Sequence, residues 1–219
     1  LFAFAILVSS PANVFAQAPC SPPSPYIIVD GNPCEWPNAF TNAAIFVKKS
    51  LLDPQNSVSD DIWTGGSSDV SPIANWSWKS GSSNDKNDMK NAGVALVGSK
   101  LFFFADRFAN NGDAQLGIWL LKGTVGKTGT TSGGFSGSHQ NGDILLRSHF
   151  VNGGSVADRA VYVWTGGPTG APVLSNLAIT ALNFASNATA VPVPSPFVYS
   201  PKSGAAQTYP ANSFVEGFL

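Results

Sequence analysis

Short apolar segments that alternate with turn residues are the feature of this chain that most restricts its fold. Eight such segments have the length and side-chain alternation of β-strands. They are Tyr26–Asp30, Ala43–Lys48, Gly93–Val97, Leu101–Asp106, Gln115–Leu121, Asp143–Phe150, Ala160–Trp164 and Leu174–Thr180. The only helical signal is a short turn near residues 84–92. The pattern predicts an all-β fold, an antiparallel β-sandwich or jelly roll.

The composition agrees with a β-rich domain and narrows the function. Charged residues make up 11% of the chain, against roughly 25% in typical soluble domains. Strong helix formers are few, and Gly, Pro, Ser, Thr and Asn are abundant. The net charge of -1 without a basic run argues against nucleic acid and against an anionic membrane surface as partners.

Residues 1–18 predict the remnant of a secretory signal. Leu1–Val8 is an apolar run far shorter than the ~20 residues that span a bilayer, and small residues follow before a cleavage point. A buried N-terminal strand or helix is the alternative. We expect no membrane insertion and a secreted or cell-surface location. Residues 19–219 would form a single β-sandwich domain, truncated at its C-terminal end because residues 212–219 start another strand.

Two cysteines, Cys20 and Cys34, fit an oxidising compartment. A disulfide between them would close a loop of about 15 residues, which stabilises a fold by roughly 3 kcal/mol in the chain-entropy model. Metal binding is the weaker alternative, because two thiols without a nearby His make a poor zinc site.

Three predicted strands carry polar and aromatic side chains opposite their core-facing residues. In a strand, alternate side chains point to opposite faces. This places Gln115 and Trp119 on the non-core face of the predicted strand 115–121 and Arg147 on that of strand 143–150. Tyr162 and Trp164 lie on the non-core face of strand 160–164. If these strands are neighbours, the rings would stack on sugars while Gln115 and Arg147 supply hydrogen bonds. Alternatively, the aromatics pack under loops or under a second sheet.

Two Asn-Gly-Asp triplets, at residues 111–113 and 141–143, each precede a predicted strand. Asn-Gly is a strong turn signal because both residues tolerate positive φ. We expect structural or metal-binding roles for Asp30, Asp106, Asp113 and Asp143, with Ca²⁺ as the candidate cofactor.

The segment 60–92 is predicted to be a long loop and is a second source of calcium ligands, because it offers many oxygen donors, although it has no EF-hand spacing. Its aspartates are Asp60, Asp61, Asp69, Asp85 and Asp88. Solvated turn residues are the alternative interpretation for each of them.

Catalytic motifs are sparse. A glycoside hydrolase would need two carboxylates, for which Asp113 and Asp143 are the candidates, but no nucleophile elbow or ordered triad is present. The segment from His139 to Asp143 is typical of a turn. The sequence therefore favours a protein that is not an enzyme.

Several blocks of sequence resemble a family of secreted or surface-anchored bacterial proteins without an assigned activity. The most specific block is "DRFANNGDAQLGIW", and "GGFSGSHQNGDILLRSHFVNGG" and "AVYVW" follow it. The resemblance covers roughly residues 28–219 and implies a β-rich N-terminal domain. In that family, immunoglobulin-like or collagen-binding-type modules and a sorting signal often follow this domain.

A shorter stretch, "IIVDGNPCEWPNA", is similar to the entry strand of family 9 carbohydrate-binding modules, with Asp30, Gly31 and Trp36 matching. That similarity implies a β-sandwich with calcium sites and aromatic residues that clamp sugars. We therefore expect a secreted, non-catalytic β-sandwich module that binds a polysaccharide or cell-surface glycan. A purely structural adhesin or stalk domain and a glycoside hydrolase are the alternatives.

Overall fold

A computed structural model describes residues 27–64, 70–151, 155–174 and 183–219. Within these ranges, fifteen strands form four antiparallel sheets, which confirms the predicted all-β antiparallel sandwich. The strands are β1 (Lys48–Leu52), β2 (Asp60–Trp63), β3 (Ser77–Gly81), β4 (Asn91–Val97), β5 (Lys100–Asp106), β6 (Ala114–Leu120), β7 (Gly126–Lys127), β8 (Ser132–Ser136), β9 (Ile144–Val151), β10 (Ser155–Thr165), β11 (Ala171–Leu174), β12 (Asn183–Ser186), β13 (Val191–Pro192), β14 (Thr208–Tyr209) and β15 (Phe214–Phe218).

Helical structure is limited to short pieces in the described ranges. The α-helix α1 covers Trp36–Thr41, and 3-10 helices cover Pro33–Glu35, Ile73–Asn75 and Gly167–Thr169. None of the described helices has the length and apolar character needed to cross a lipid bilayer. Residues 1–18, predicted to be a signal remnant, and Cys20, the predicted disulfide partner of Cys34, lie outside the described residues. The signal and the disulfide therefore stay predictions.

Two sheets pack face to face. The central sheet has the order β1-β4-β5-β15-β12, and the outer sheet has the order β11-β10-β9-β6. Their shared core is apolar, so its burial drives the sheets together. It contains Phe103, Ala105 and Val215 from the central sheet, and Leu146, Phe150 and Val161 from the outer sheet.

The opposite face of the central sheet is buried as well. Phe102, Phe104 and Phe214 point to this side, where α1 and the chain around residues 191–209 cover them. Because β5 is enclosed on both faces, its apolar residues form a continuous run instead of alternating with polar ones. The remaining sheets are a small sheet of order β2-β3-β8-β7 and the pair β13-β14.

A buried carboxylate fastens the N-terminal segment to this second face. Glu216 on β15 has no exposed surface and accepts hydrogen bonds from the indole Nε1–H of Trp36 at 2.8 Å and from the backbone N–H groups of Gly31 and Asp30 at 2.8 and 3.1 Å. The Trp36 ring packs on Phe104 with centroids 4.5 Å apart. Asp30, Gly31 and Trp36, the residues that match the family 9 modules, therefore all donate to the Glu216 carboxylate.

Two predicted strands are wrong, and the structure explains why. Residues 27–30 are not in a strand, because the Asp30 and Gly31 N–H groups bond to Glu216 instead of a neighbouring strand. Residues 43–47 precede β1, which starts only at Lys48. A turn forms there, with Asn42 Oδ1 accepting the Ala44 N–H and the Asn42 carbonyl accepting the Ile45 N–H.

The other differences concern the segment 60–92 and the helix. The segment was predicted as a loop, but it contains β2 and β3, which pair with each other. The short turn predicted near residues 84–92 forms at residues 85–87, where the Asn87 N–H donates to the Asn84 carbonyl at 2.7 Å, whereas the α-helix at residues 36–41 was not predicted. β4 and β5 form a hairpin, with Gly98 at φ 62° in its two-residue turn. The predicted strand 174–180 overlaps β11 only at Leu174, and its other residues lie outside the described ranges.

Replacing Glu216 tests the fastening. We expect Glu216→Ala to lower the free energy of unfolding by about 3 kcal/mol or more, because buried N–H donors lose their acceptor and a void is left. Glu216→Gln keeps an amide oxygen in place and should cost much less. Urea unfolding of both variants at pH 6 measures the difference, and equal losses would contradict the assignment.

The pH dependence of stability provides a second test. Burial raises the pKa of Glu216 from 4.5 to about 8; the N–H donors of Trp36, Gly31 and Asp30 oppose this shift, and the Asp30 charge adds to it. The folded protein therefore holds a proton that the unfolded chain releases near pH 4.5. This contribution to stability is fully present below pH 4.5 and is lost as the pH rises through about 8. Urea unfolding between pH 5 and 9 should show the decline in the native protein and a weaker one in Glu216→Gln.

Candidate functional site

The strands predicted to carry ligand-binding side chains are neighbours in the outer sheet. β9 lies between β6 and β10. Trp119 is opposite Leu145, which is in turn opposite Tyr162. In the next row, Arg147 lies between Gly117 and Ala160. Trp119, Arg147 and Tyr162 therefore share the non-core face, as the two-residue period predicted.

Trp164 lies on this face too, but it has no exposed surface. Its ring stacks on His139 with centroids 3.8 Å apart, and its Nε1–H donates to the Gly167 carbonyl at 2.6 Å. The prediction that Trp164 stacks on a ligand is therefore corrected: for this residue, the alternative of packing under other structure holds. The period of a strand gives the direction of a side chain but not what covers it.

The covering structure is an aromatic cluster that joins the small sheet to the outer sheet. Trp63 and Trp76 have ring centroids 5.1 Å apart, Trp76 and Trp119 have centroids 6.2 Å apart, and His139 lies 4.4 Å from Trp119. Trp76 and His139 are buried, whereas Trp63 is 36% exposed and Trp119 is partly buried. Trp63 and Trp119 are therefore the tryptophans of this cluster that a ligand can reach.

Away from the aromatic cluster, the same face is polar and more open. Gln115 is exposed, and Arg147 and Tyr162 are partly buried. The Arg147 guanidinium lies 4.9 Å from the centre of the Tyr162 ring, so one face of that ring is already occupied by a cation–π contact. Ligand contacts of Gln115, Arg147 and Tyr162 stay a prediction.

Asp106 was predicted to be either structural or metal-binding, and its contacts are those of a structural residue. Its carboxylate is fully buried and accepts the N–H groups of Lys90 and Asn91 at 2.7 and 3.0 Å, the Asn91 side-chain amide at 2.6 Å and the Tyr209 hydroxyl at 3.2 Å. Burial raises its pKa to about 6, although these hydrogen bonds oppose the shift. The carboxylate links β5 to the start of β4 and to β14.

Asp143 is also buried, and it completes the turn predicted for residues 139–143. Its carboxylate accepts the backbone N–H groups of Lys122 and Gln140 at 2.9 and 3.0 Å and lies 3.0 Å from His139 Nδ1. Burial alone would raise the pKa of Asp143, but these partners lower it overall. Since Asp143 has no exposed surface, it cannot reach a glycosidic bond as one of a catalytic pair with Asp113.

The four aspartates predicted for structural or metal roles do not form one site. Asp30 is exposed and its Oδ1 accepts the Asn32 N–H at 2.8 Å, and Asp113 is exposed at the first Asn-Gly-Asp turn. The acids that do converge in the described ranges are Asp53, Asp60 and Asp88, with one carboxylate oxygen of each within 4.8 Å of the others. Asp60 and Asp88 were among the candidates from segment 60–92.

Sequence reasoning missed Asp53 in this acidic cluster. Asp53 directly follows β1, and its N–H donates to the Lys90 carbonyl at 2.8 Å. Asp60 is the first residue of β2, and Asp88 precedes β4. Six residues lie between Asp53 and Asp60, and this loop returns to Asp88, whose Oδ2 accepts the Asn56 N–H at 2.7 Å. The only local feature of the sequence that marks Asp53 as a ligand is its position directly after β1.

Two pockets with shared lining residues, a polar one and an apolar one, lie beside the acidic cluster, and we call them together the cleft. The polar part has a volume of about 500 Å³ and the apolar part about 330 Å³, within or close to the 300–1,000 Å³ that ligand sites usually have. Leu51, Met89 and Ala92 line both parts. The polar part is further lined by Trp63, Asp53, Asp60, Asp61, Ser82, Ser83, Asn84 and Asn87, and the apolar part by Val94, Leu116, Ile118 and Trp119.

Burial and neighbouring carboxylates raise the pKa of two acids of the acidic cluster, Asp53 and Asp88. Burial raises the pKa of Asp53 to about 6, the carboxylates of Asp60, Asp88 and Asp61 add to the shift, and Lys90 opposes it. The pKa of Asp88 is raised as well, mainly by burial and also by the charges of nearby acids, while the backbone N–H groups of Asn56 and Met89 oppose the shift. Asp88 Oδ1 is buried and has no hydrogen-bond partner.

No family model, curated protein or solved structure matches this chain. The resemblance to secreted bacterial surface proteins and to family 9 carbohydrate-binding modules therefore stays a prediction.

The two Asn-Gly-Asp triplets supply a matched pair of variants. We expect Asp143→Ala to lower the free energy of unfolding by about 3 kcal/mol, because it leaves the buried N–H groups of Lys122 and Gln140 without an acceptor. Asp113→Ala, at the same position of the exposed triplet, should change it by less than about 1 kcal/mol. Thermal and urea unfolding measure both values, and a larger loss in Asp113→Ala would contradict this distinction.

Proposed function

We propose that this protein is a secreted, non-catalytic module that binds a neutral polysaccharide or cell-surface glycan in the cleft. The observation that carries the proposal is the lining of the cleft: Trp63 and Trp119 are both partly exposed, and they line two pockets that share Leu51, Met89 and Ala92. Aromatic rings present flat apolar surface, which suits the apolar face of a sugar ring.

The remaining lining residues supply polar partners. Ser82, Ser83, Asn84 and Asn87 offer hydroxyl and amide groups along the polar part, and such groups both donate and accept hydrogen bonds. Sugar hydroxyls need both kinds of partner. An apolar floor with a few polar groups is the usual composition of a ligand site.

The charge of the cleft selects the class of glycan. Asp53, Asp60 and Asp61 all line the polar part, and Asp61 is the one with a cationic partner among the described ion pairs, Lys127. Like charges across an interface disfavour binding. The proposed ligand is therefore a neutral glycan and not a uronic-acid or sulfated polymer. The proposed extracellular location rests on the sequence of residues 1–18.

Substituting the more exposed tryptophan tests the proposal. We expect the native protein to bind at least one neutral polysaccharide on a glycan array. Trp63→Ala should then weaken binding at least tenfold, or about 1.4 kcal/mol, because the stacking surface is lost. Trp119→Phe should weaken it less, because a smaller ring remains. Isothermal titration calorimetry with the polysaccharide found on the array measures the affinities.

Phe46→Ala is the matched control, since Phe46 is an aromatic residue with 93% exposure that does not line the cleft. This variant should bind like the native protein. Equal binding by Trp63→Ala and Phe46→Ala would contradict the site, and the absence of binding to every neutral glycan would favour a structural stalk domain. Release of reducing ends from a bound polysaccharide would contradict the non-catalytic assignment.

A further inference from the structure

We propose that Asp53, Asp60 and Asp88 bind one calcium ion at the polar end of the cleft. Each offers a carboxylate oxygen, and the three oxygens lie within 4.8 Å of one another. Calcium–oxygen distances are 2.3–2.6 Å, so two oxygens on the same ion are at most about 5 Å apart. The three oxygens are therefore close enough to share a single ion.

The unpartnered oxygen of Asp88 is a separate indication of a cation. Asp88 is only 3% exposed, and Asn56 occupies its Oδ2, while Oδ1 is buried and accepts no hydrogen bond. A buried carboxylate oxygen without a donor is costly because it has lost its water. Protein donors satisfy the buried aspartates Asp106 and Asp143, whereas Asp88 Oδ1, like Glu35 Oε2, has no such donor.

The donor type and the charge point to calcium. All three candidate ligands are carboxylates, and no described ion pair involves them. Oxygen-only sites suit hard cations. Asn84, Asn87, Ser82 and Ser83 line the adjoining cavity, where they and water would complete the six to eight oxygens that calcium accepts in flexible geometry. Magnesium demands a nearly ideal octahedron and is less well suited.

The ion would join three separate parts of the fold. Asp53 follows β1 at the edge of the central sheet, Asp60 starts β2 of the small sheet, and Asp88 lies in the segment that connects β3 to β4. Trp63 is three residues after Asp60 on β2. Calcium would therefore hold the small sheet, with Trp63, against the edge of the central sheet. Any effect on glycan binding rests on the proposed function, whereas binding of the ion does not.

Calorimetry on the full chain tests the site. After treatment with EDTA and its removal, titration with CaCl₂ should show one ion bound per chain, and calcium should raise the melting temperature. Asp60→Asn and Asp88→Asn should each weaken calcium binding at least tenfold. Asp113→Asn is the control because it removes an exposed aspartate outside the acidic cluster, and it should bind calcium like the native protein. MgCl₂ in the same titration should bind at least tenfold more weakly.

Melting in EDTA separates a lost ion site from a damaged fold. Asp88→Asn should melt at or above the native temperature without calcium, because it removes a buried charge and a repulsion, while its calcium-dependent shift disappears. Absence of calcium binding to the native protein, native-like binding by both variants, or equal affinity for magnesium would overturn the proposal. Calcium binding without glycan binding would contradict only the proposed function, and glycan binding by a protein that takes up no calcium would contradict only the ion site.

Discussion

The carboxylate of Glu216 is the interaction on which the central sheet depends. It lies inside the protein on the last strand and holds Asp30, Gly31 and Trp36, residues about 180 positions earlier in the chain. A helix of six residues is not stable alone, so α1 owes its position to this acceptor and to the packing of Trp36 on Phe104. Together with the chain around residues 191–209, it seals one face of the central sheet.

Because the outer sheet seals the opposite face, the central sheet has no face left for a ligand. Its edge at β1 remains, and there the small sheet approaches and the cleft opens. The proposed glycan and calcium sites share this edge for the same reason. Loops and edges can carry polar groups that a closed core could hold only with complete hydrogen bonding.

Sequence periodicity predicted the fold class, the outer-sheet strands β6, β9 and β10, and the shared face of Gln115, Trp119 and Arg147, because alternation is a local property of a strand. It could not predict that the small sheet and its aromatic cluster bury Trp164. Likewise, it identified Asp60 and Asp88 as possible calcium ligands but not Asp53, because their convergence depends on how the loop at Asn56 returns to Asp88. The strand at residues 27–30 was wrong because Glu216 takes its N–H groups.

The two Asn-Gly-Asp triplets separate what the sequence determined from what the tertiary structure decided. The sequence alone determined the turns: Gly112 and Gly142 both have positive φ, 71° and 90°, since this conformation depends on the residues of the turn itself. The tertiary structure decided the fate of the aspartates. Asp143 is enclosed with His139 beneath the aromatic cluster, whereas Asp113 remains at the surface. Burial and bonding partners depend on segments far apart in the chain, which no local pattern contains.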